Sequence, residues 1–255
     1  MDKLKAEIVN TEYLRGLAQG VDLVRNEEAF MVAFSRHYML FRLLKLINDT
    51  FIANGIDYAL IGGGLIGVYR HNNSFTPWDD DLDIVIKKAD FTKVKDALKD
   101  NPEVFLCGNN PDALQRIYFT YCKEMKNTHQ DDRVFIDIFY VDTNILASDD
   151  NKDVDNYRYT SPEHRRIFPN EYFLKDELFP TQNEDFNMYL PDGKLYDTIK
   201  VSVPNKARTF LDRAYPGWPS SIKITQTHSA PYKLSIVKQV GYIGSYLTQY
   251  WCPCK

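Results

Sequence analysis

The run PWDDDLDIVI at residues 77–86 decides how this sequence is interpreted. Four carboxylates, at Asp79, Asp80, Asp81 and Asp83, stand directly before an apolar run whose β-branched residues favour a strand. Carboxylates this close together raise one another's pKa, so the cluster is costly unless a cation neutralises it. Because side chains alternate across a strand, we expect Asp79, Asp81 and Asp83 to share one face and bind a hard divalent ion, Mg²⁺ or Mn²⁺.

A second acidic position lies far along the chain. Asp137 interrupts the apolar run FIDIF at residues 135–139, which itself indicates a strand. If this strand lies beside residues 82–86, the Asp137 carboxylate reaches the same metal ion. Two alternatives stay open: Asp137 on the solvated face of an edge strand, and a solvated acidic turn at residues 79–83. An EF-hand calcium loop is excluded, because Ile84 occupies the position where that loop requires glycine.

A glycine run precedes the carboxylates. Residues 56–61 predict a strand that leads into three glycines at residues 62–64 and then into a short helix through Tyr69. Glycines at such a junction let backbone N–H groups approach a phosphate, although a tight turn explains them equally well. Arg70 and His71 follow, and the Arg70 guanidinium can pair either with a phosphate or with the acidic cluster.

The remaining patterns in the first half predict an α/β (α+β) fold, in which a small mixed sheet is flanked by helices. Apolar residues at helical spacing predict a helix over residues 27–54, which Gly55 ends. Further strands are expected at residues 82–86, 115–121 and 133–140, and a further helix at residues 89–100.

Beyond about residue 142 the pattern is weaker. Residues 148–166 predict a long ordered loop or an irregular helical insertion, and residues 194–203 predict strands. The apolar spacing after Pro204 predicts a helix that has this proline in its first turn and that Pro216 ends. We expect this part of the chain to elaborate the first domain rather than to form an independent one.

Composition limits the class of protein. The chain has 255 residues, of which 44% are hydrophobic and 26% charged, and a net charge of −4, which indicates a soluble globular protein and argues against a dominant nucleic-acid-binding surface. The cysteines at Cys107, Cys122, Cys252 and Cys254 form no CxxC pair, so neither a disulfide framework nor a four-cysteine zinc site is expected. The N-terminal residues lack an apolar leader and no window is apolar enough to span a bilayer, so we expect a cytoplasmic protein without a transmembrane segment.

Three motifs in this order resemble the LicD family, which includes the bacterial phosphocholine transferases and the fukutin-related proteins and belongs to the nucleotidyltransferase superfamily. They are GGLIGVYRH at residues 63–71, PWDDDLDI at residues 77–84 and IDIF at residues 136–139. The resemblance covers roughly residues 45–218 and is strongest over residues 60–84. Two features depart from it: Gly64 stands where the family usually has threonine or serine, and the loop between Arg70 and Trp78 is one residue longer.

The resemblance implies an enzyme that moves a phosphoalcohol, such as phosphocholine, ribitol phosphate or glycerol phosphate, from a CDP-alcohol donor to a hydroxyl of a glycan or glycolipid acceptor, with release of CMP. It also implies a nucleotidyltransferase-like core at residues 56–142, with an N-terminal helical segment at residues 1–55 packed on it and an acceptor-binding elaboration at residues 143–255. By the matched motifs, Asp81 and Asp83 hold the metal, Asp137 completes the carboxylate set, Asp79 and Asp80 assist, and Gly63 and Gly64 approach the donor phosphates.

Three further roles are hypotheses about the mechanism. Arg70 neutralises charge on the transferred phosphate, and Asp137 orients or deprotonates the acceptor hydroxyl. Trp78 stacks near the donor base, although packing beside the turn is an alternative for this residue. The catalytic set is then Asp81, Asp83, Asp137 and Arg70.

Other functions stay open at this point. The spacings Asp79-x-Asp81 and Asp81-x-Asp83 also fit the DxD pattern of glycosyltransferases that use a nucleotide-sugar. A nucleotidyltransferase that adds NMP to a small molecule is a second alternative, and a glycan-binding module without turnover is a third.

Overall fold

The structure is a computed structural model that describes residues 34–76, 79–124, 133–143, 156–190, 193–219, 222–224 and 238–240. Two short 3₁₀ segments, Lys88–Asp90 and Thr120–Glu124, accompany the regular elements. In chain order these elements are α1 (Phe34–Ala53), β1 (Tyr58–Ile61), α2 (Gly62–Arg70), β2 (Asp83–Lys87), α3 (Phe91–Lys99), β3 (Val104–Cys107), β4 (Gln115–Phe119), β5 (Phe135–Asp142), β6 (Arg158–Tyr159), α4 (Pro162–Ile167), α5 (Lys175–Leu178), β7 (Gln182–Tyr189), β8 (Leu195–Val203), α6 (Ala207–Ala214), β9 (Ile222–Ile224) and β10 (Lys238–Val240).

The central sheet has the strand order β1-β2-β5-β4-β3, and β6 pairs with the end of β5. Strands β2 and β5 run parallel, whereas the other neighbouring pairs are antiparallel. Seven of the eight residues of β5 are buried, as a central strand with an apolar sequence requires. The predicted α/β fold with a small mixed sheet is thus confirmed.

Helix α1 packs against β5 and α3 through a continuous apolar face. Phe41, Leu44, Ile47 and Phe51, which set the predicted helical spacing, are all buried. Gly55 follows the helix with a φ of 61°, the left-handed conformation that favours glycine at a helix end. The predicted start of this helix, over residues 27–33, lies outside the described residues.

The strand boundary at the acidic run corrects one prediction. Strand β2 begins only at Asp83, so Asp79 and Asp81 lie in the preceding loop and the expected alternation across a strand does not apply to them. The physical reason is pairing: Ile61, the last residue of β1, is opposite Asp83, and no β1 residue remains to pair with residues 79–82. Leu82 joins the sheet only through its carbonyl, which accepts a hydrogen bond from the Asp137 N–H at 2.9 Å.

The loop between α2 and the acidic run is anchored to the β7–β8 hairpin. Asn72 Nδ2 donates a hydrogen bond to the Tyr189 hydroxyl (2.6 Å), and Ser74 Oγ donates one to the Asn187 carbonyl (2.9 Å). Asn72 and Asn73 have φ values of 54° and 57°, a conformation that asparagine tolerates better than most residues. Asn72 and Ser74 therefore hold this loop on the hairpin.

Other elements differ from the sequence predictions in detail. The sequence did not indicate β3 or β7. The helix predicted with Pro204 in its first turn begins only at Ala207, so Pro204 precedes the helix. In the stretch predicted as a loop or helical insertion, the described part contains β6 and α4, and Ser161 Oγ caps α4 by accepting a hydrogen bond from the His164 N–H.

Cys107 is exposed and Cys122 is buried, and both are thiols, whereas Cys252 and Cys254 lie outside the described residues. Of the helices in the described part of the chain, none combines the length and apolar character that crossing a bilayer requires.

Candidate active site

Three carboxylates meet at the edge of the central sheet. Asp83 opens β2 and is the register partner of Asp137 in the parallel strand β5, so the two side chains leave the sheet on the same face. Asp81 reaches them from the preceding loop. One carboxylate oxygen from each of Asp81, Asp83 and Asp137 lies within 4.8 Å of the others, a spacing that a single metal ion can bridge.

The electrostatics of these carboxylates favour a cation. Burial raises the pKa of Asp83 well above its usual range, and the charges of Asp81, Asp137 and Asp79 raise it further. Burial, followed by the charges of Asp81 and Asp80, has the same effect on Asp79. A donor set made of carboxylate oxygens suits a hard divalent ion such as Mg²⁺ or Mn²⁺, so these residues fit the metal that the sequence predicts.

The glycine run lies directly against the carboxylates. A Cβ atom on Gly63 would overlap Oδ2 of Asp79, and one on Gly62 would overlap Oδ2 of Asp83. A Cβ on Gly64 would lie 2.9 Å from a methyl group of Leu82, closer than a normal carbon contact. The close approach therefore explains the run in the metal-free protein, and contact of Gly63 and Gly64 with donor phosphates stays a prediction.

Helix α1 holds the acidic loop from the other side. Arg36 Nε donates a hydrogen bond to the Asp80 carbonyl (2.5 Å) and lies 3.9 Å from Oδ2 of the same residue. His37 Nε2 donates one to the Asp79 carbonyl at 2.7 Å. Burial lowers the pKa of His37 to about 4, so the ring is neutral at physiological pH and acts here as a donor. Asp80 is 1% exposed and faces α1. It is not among the residues that line the cavity beside Asp81, Asp83 and Asp137, which is described below.

Arg70 is buried close to Asp79 and is not among the residues that line the cavity beside the carboxylates. The side chain is buried, with Nη1 donating to the Trp218 carbonyl and Nε donating to Nε2 of His71, both at 2.9 Å. Its charge lowers the pKa of Asp79 and so opposes the effect of burial there. The predicted contact of Arg70 with the transferred phosphate stays a prediction, and Trp78 lies outside the described residues.

A cavity of about 790 Å³ opens beside the carboxylates. Its lining includes Asp81, Asp83 and Asp137 at the edge of the sheet, together with residues of helix α4 and of the segment that follows it. The site therefore combines residues from both halves of the chain. Sequence reasoning missed the lining residues Asp112, Arg116, Glu163, His164, Glu171 and Tyr215.

Arg116 is the cation of this lining. It lies on β4 as the register partner of Asp137, and its Nε donates a hydrogen bond to Oδ1 of Asp137 at 2.8 Å. The strand pattern of residues 115–121 was visible in the sequence, but the pairing that brings Arg116 next to Asp137 was not, because alternation along one strand does not specify its partner.

Glu171 adds a carboxylate held by two tyrosines. The hydroxyl of Tyr159 donates to Oε2 (2.6 Å), and the hydroxyl of Tyr215 donates to Oε1 (2.8 Å). Burial raises the pKa of Glu171, and these two hydrogen bonds lower it by a smaller amount. Its charge also raises the pKa of Asp83, which indicates that the two carboxylates are close in the same cavity. No sequence motif around Glu171 indicated that it contributes a carboxylate to the cavity.

Aromatic side chains line the cavity beside the carboxylates. The His164 ring lies with its centroid 4.9 Å from that of Phe139 and 6.4 Å from that of Phe168. Phe139 follows Asp137 by two residues on β5 and therefore shares its face of the sheet. Burial lowers the pKa of His164, so this ring is neutral at physiological pH. The cavity can thus accept a ligand that has both an anionic part and a flat or apolar part.

Comparison with known proteins agrees with this geometry. No curated protein sequence was found to match the chain. The family described as LicD/FKTN/FKRP, nucleotidyltransferase domain, matches residues 55–191, which are 137 of the 255 residues and include the glycine run, the acidic run and β5. The chain therefore belongs to the LicD/FKTN/FKRP family, through its nucleotidyltransferase domain.

Proposed function

We propose that this protein is a metal-dependent phosphotransferase that moves a phosphoalcohol from a CDP-alcohol to a hydroxyl of a glycan or glycolipid, with release of CMP. The observation that carries the proposal is the group of Asp81, Asp83 and Asp137, whose oxygens lie within 4.8 Å of one another at a cavity of about 790 Å³. Membership of the family supports a transferase of this class.

Asp81, Asp83 and Asp137 are the residues that would hold Mg²⁺ or Mn²⁺, with Asp79 beside them. The bound ion supplies charge neutralisation at the donor diphosphate and at the leaving CMP. Gly63 and Gly64, at the start of α2, would offer backbone N–H groups to the donor phosphates.

The reaction forms one P–O bond and breaks another. The acceptor hydroxyl oxygen attacks the phosphorus that carries the alcohol, the bond from this phosphorus to the CMP oxygen breaks, and the hydroxyl proton passes to a carboxylate of the cavity. We assign the orientation of the hydroxyl to Asp137, because its carboxylate lines the cavity and is held in place by the Arg116 side chain. Glu171, whose pKa burial raises, is the group that we propose takes the proton.

The part of the chain after residue 142 is where we propose that the acceptor binds. It supplies His164, Glu171 and Tyr215 to the lining of the cavity that contains the carboxylates. We propose that a sugar ring binds against the His164 ring with one hydroxyl near Glu171.

The test is CMP release from a panel of CDP-alcohols with Mg²⁺ or Mn²⁺. We expect metal-dependent release by the wild-type protein and its loss in Asp81→Asn and Asp83→Asn, which remove charge but keep shape. Asp185→Asn is the matched control, because Asp185 is half-buried on β7 and paired with Lys200 outside the cavity. Release of UDP or GDP from nucleotide-sugars instead would favour a glycosyltransferase, and release of pyrophosphate from an NTP would favour a nucleotidyltransferase. Glycan binding without turnover of any donor would favour a binding module.

A further inference from the structure

We infer that Arg116 binds the donor phosphates, in addition to positioning Asp137. This inference rests on the proposed function and identifies a residue for the same site. It follows from the position of Arg116 in the sheet, from the contacts that fix its guanidinium and from the charge balance of the cavity.

Arg116 belongs to a row of side chains that crosses three neighbouring strands. Asp83 on β2 is the register partner of Asp137 on β5, and Asp137 is in turn the register partner of Arg116 on β4. Register partners project from the same face of a sheet, and all three residues line the cavity. Nε of Arg116 lies 2.8 Å from Oδ1 of Asp137, so the guanidinium is directly beside the carboxylates that would hold the ion and its diphosphate.

The guanidinium is held in one orientation. Its Nε–H donates to Oδ1 of Asp137, and its Cζ lies 4.0 Å from the centroid of the buried Phe135 ring. Stacking, the ion pair and a further side-chain hydrogen bond to Tyr118 fix the plane of the group where the residue lines the cavity. A planar, oriented fork of donors is the arrangement that recognises phosphate oxygens in protein sites.

The charge balance of the cavity makes this cation necessary. Among the described lining residues there are six carboxylates, on Asp81, Asp83, Asp112, Asp137, Glu163 and Glu171, and Arg116 is the one lysine or arginine. Lys88 pairs with Asp112 and Arg116 pairs with Asp137, and a divalent ion would offset two further charges, so an anionic diphosphate still meets the remaining carboxylates. Arg116 is the lining side chain that reduces this repulsion, whereas Arg70 is buried against the Trp218 carbonyl and does not line the cavity.

The two roles of Arg116 predict opposite effects on metal binding, which gives a sharp test. Isothermal titration would measure the affinities of CDP, cytidine and Mn²⁺ for the wild type, Arg116→Gln, Arg116→Lys and the control Lys200→Gln. Lys200 is an exposed residue of β8 whose replacement also removes one positive charge and one ion pair, away from the cavity. Circular dichroism spectra and thermal unfolding verify that each variant folds.

We expect Arg116→Gln to weaken CDP binding about tenfold or more, with and without Mn²⁺, and to leave cytidine binding unchanged. Mn²⁺ binding in the absence of nucleotide should be unchanged or tighter, because a positive charge next to Asp137 has been removed. Arg116→Lys, which keeps the charge but not the fork, should bind CDP with intermediate affinity, and Lys200→Gln should bind as the wild type does.

Unchanged CDP affinity in Arg116→Gln, together with weaker Mn²⁺ binding, would overturn the inference and leave Arg116 as a residue that only positions Asp137. If Arg116→Gln does not fold, the inference is overturned by an Arg116→Lys variant that binds CDP as tightly as the wild type. Failure of the proposed function has a different signature: the wild type then prefers UDP or another nucleotide to CDP, and the same comparison with that nucleotide decides the role of Arg116.

Discussion

Gly63 and Asp79 are so close that a Cβ atom on the glycine would overlap Oδ2 of the aspartate. The glycine is thus required by a carboxylate of the site. Gly67, one turn later in α2, has a different neighbour, since a Cβ there would overlap the backbone carbonyl oxygen of Ser74. Within one helix, glycine is therefore required at position 63 by a carboxylate of the site and at position 67 by the backbone of a neighbouring loop.

Gly63→Ala should fold and lose activity. The overlapping atom is the end of an aspartate side chain, which can rotate away, so we expect a small change in the unfolding temperature and a fall in CMP release of roughly tenfold to a hundredfold. Gly67→Ala should instead lower the free energy of unfolding by about 1–3 kcal/mol, because backbone must move. Thermal unfolding and CMP release of both variants test this contrast, and wild-type turnover in Gly63→Ala would contradict it.

Asp83→Asn should stabilise the metal-free protein and weaken its stabilisation by metal. Because the pKa of Asp83 is raised in the folded state, the folded protein retains a proton that the unfolded chain releases. The contribution of this group to stability is therefore greatest below the ordinary carboxyl pKa of about 4 and is lost as the pH rises through the folded value. Above that window, the uncharged asparagine removes the repulsion.

Thermal unfolding between pH 5 and pH 8, with chelator or with Mn²⁺, measures this effect. The wild type should lose stability with rising pH in chelator and regain it with Mn²⁺, whereas Asp83→Asn should show a weaker response to both. Asp185→Asn, which changes a half-buried carboxylate outside the cavity, should respond as the wild type does. A metal-free Asp83→Asn protein less stable than the wild type at pH 8 would show that Asp83 is needed for packing.

The sequence predicted those parts of the site that are local in the chain. The acidic run, the glycine run and Asp137 each lie in a short motif. The apolar strands next to the acidic run and around Asp137 can pair with each other in few ways. The sequence did not predict that β2 starts at Asp83, because strand ends depend on which partner residues are available. Arg116 and Glu171 were missed for a related reason, since both reach the site through pairings with distant residues that no local pattern encodes.

The role of Glu171 as proton acceptor predicts a shift in the pH profile of turnover. The Tyr159 hydroxyl donates to Glu171 and lowers its pKa, so Tyr159→Phe should raise that pKa further. A base must be deprotonated to act, so the acidic limb of the kcat profile should move to higher pH. Glu171→Gln should lose this limb and roughly a hundredfold in kcat, with the KM for the donor little changed.

Steady-state CMP release between pH 5 and pH 9 measures these profiles. Asp83 is a charged group that also faces Glu171. The same series in Asp185→Asn, at the same ionic strength, shows how far the loss of a distant charge alone changes the profile. A Tyr159→Phe profile that coincides with that of the wild type would remove Glu171 from the proton transfer and leave it as a residue that ties Tyr159 to Tyr215.

Arg70 provides the comparison that separates indirect from direct action on the phosphates. Its guanidinium supports the Trp218 carbonyl and lowers the pKa of Asp79 from a buried position outside the cavity lining. We therefore expect Arg70→Ala to reduce CMP release by roughly tenfold or more, through Asp79 and local packing, and to leave the metal-free affinity for CDP within about twofold of the wild type. Arg116→Gln should reduce both quantities. Titration of CDP into the two variants in chelator distinguishes these mechanisms, because a loss of CDP affinity in Arg70→Ala as large as that in Arg116→Gln would mean that Arg70 itself reaches the phosphates.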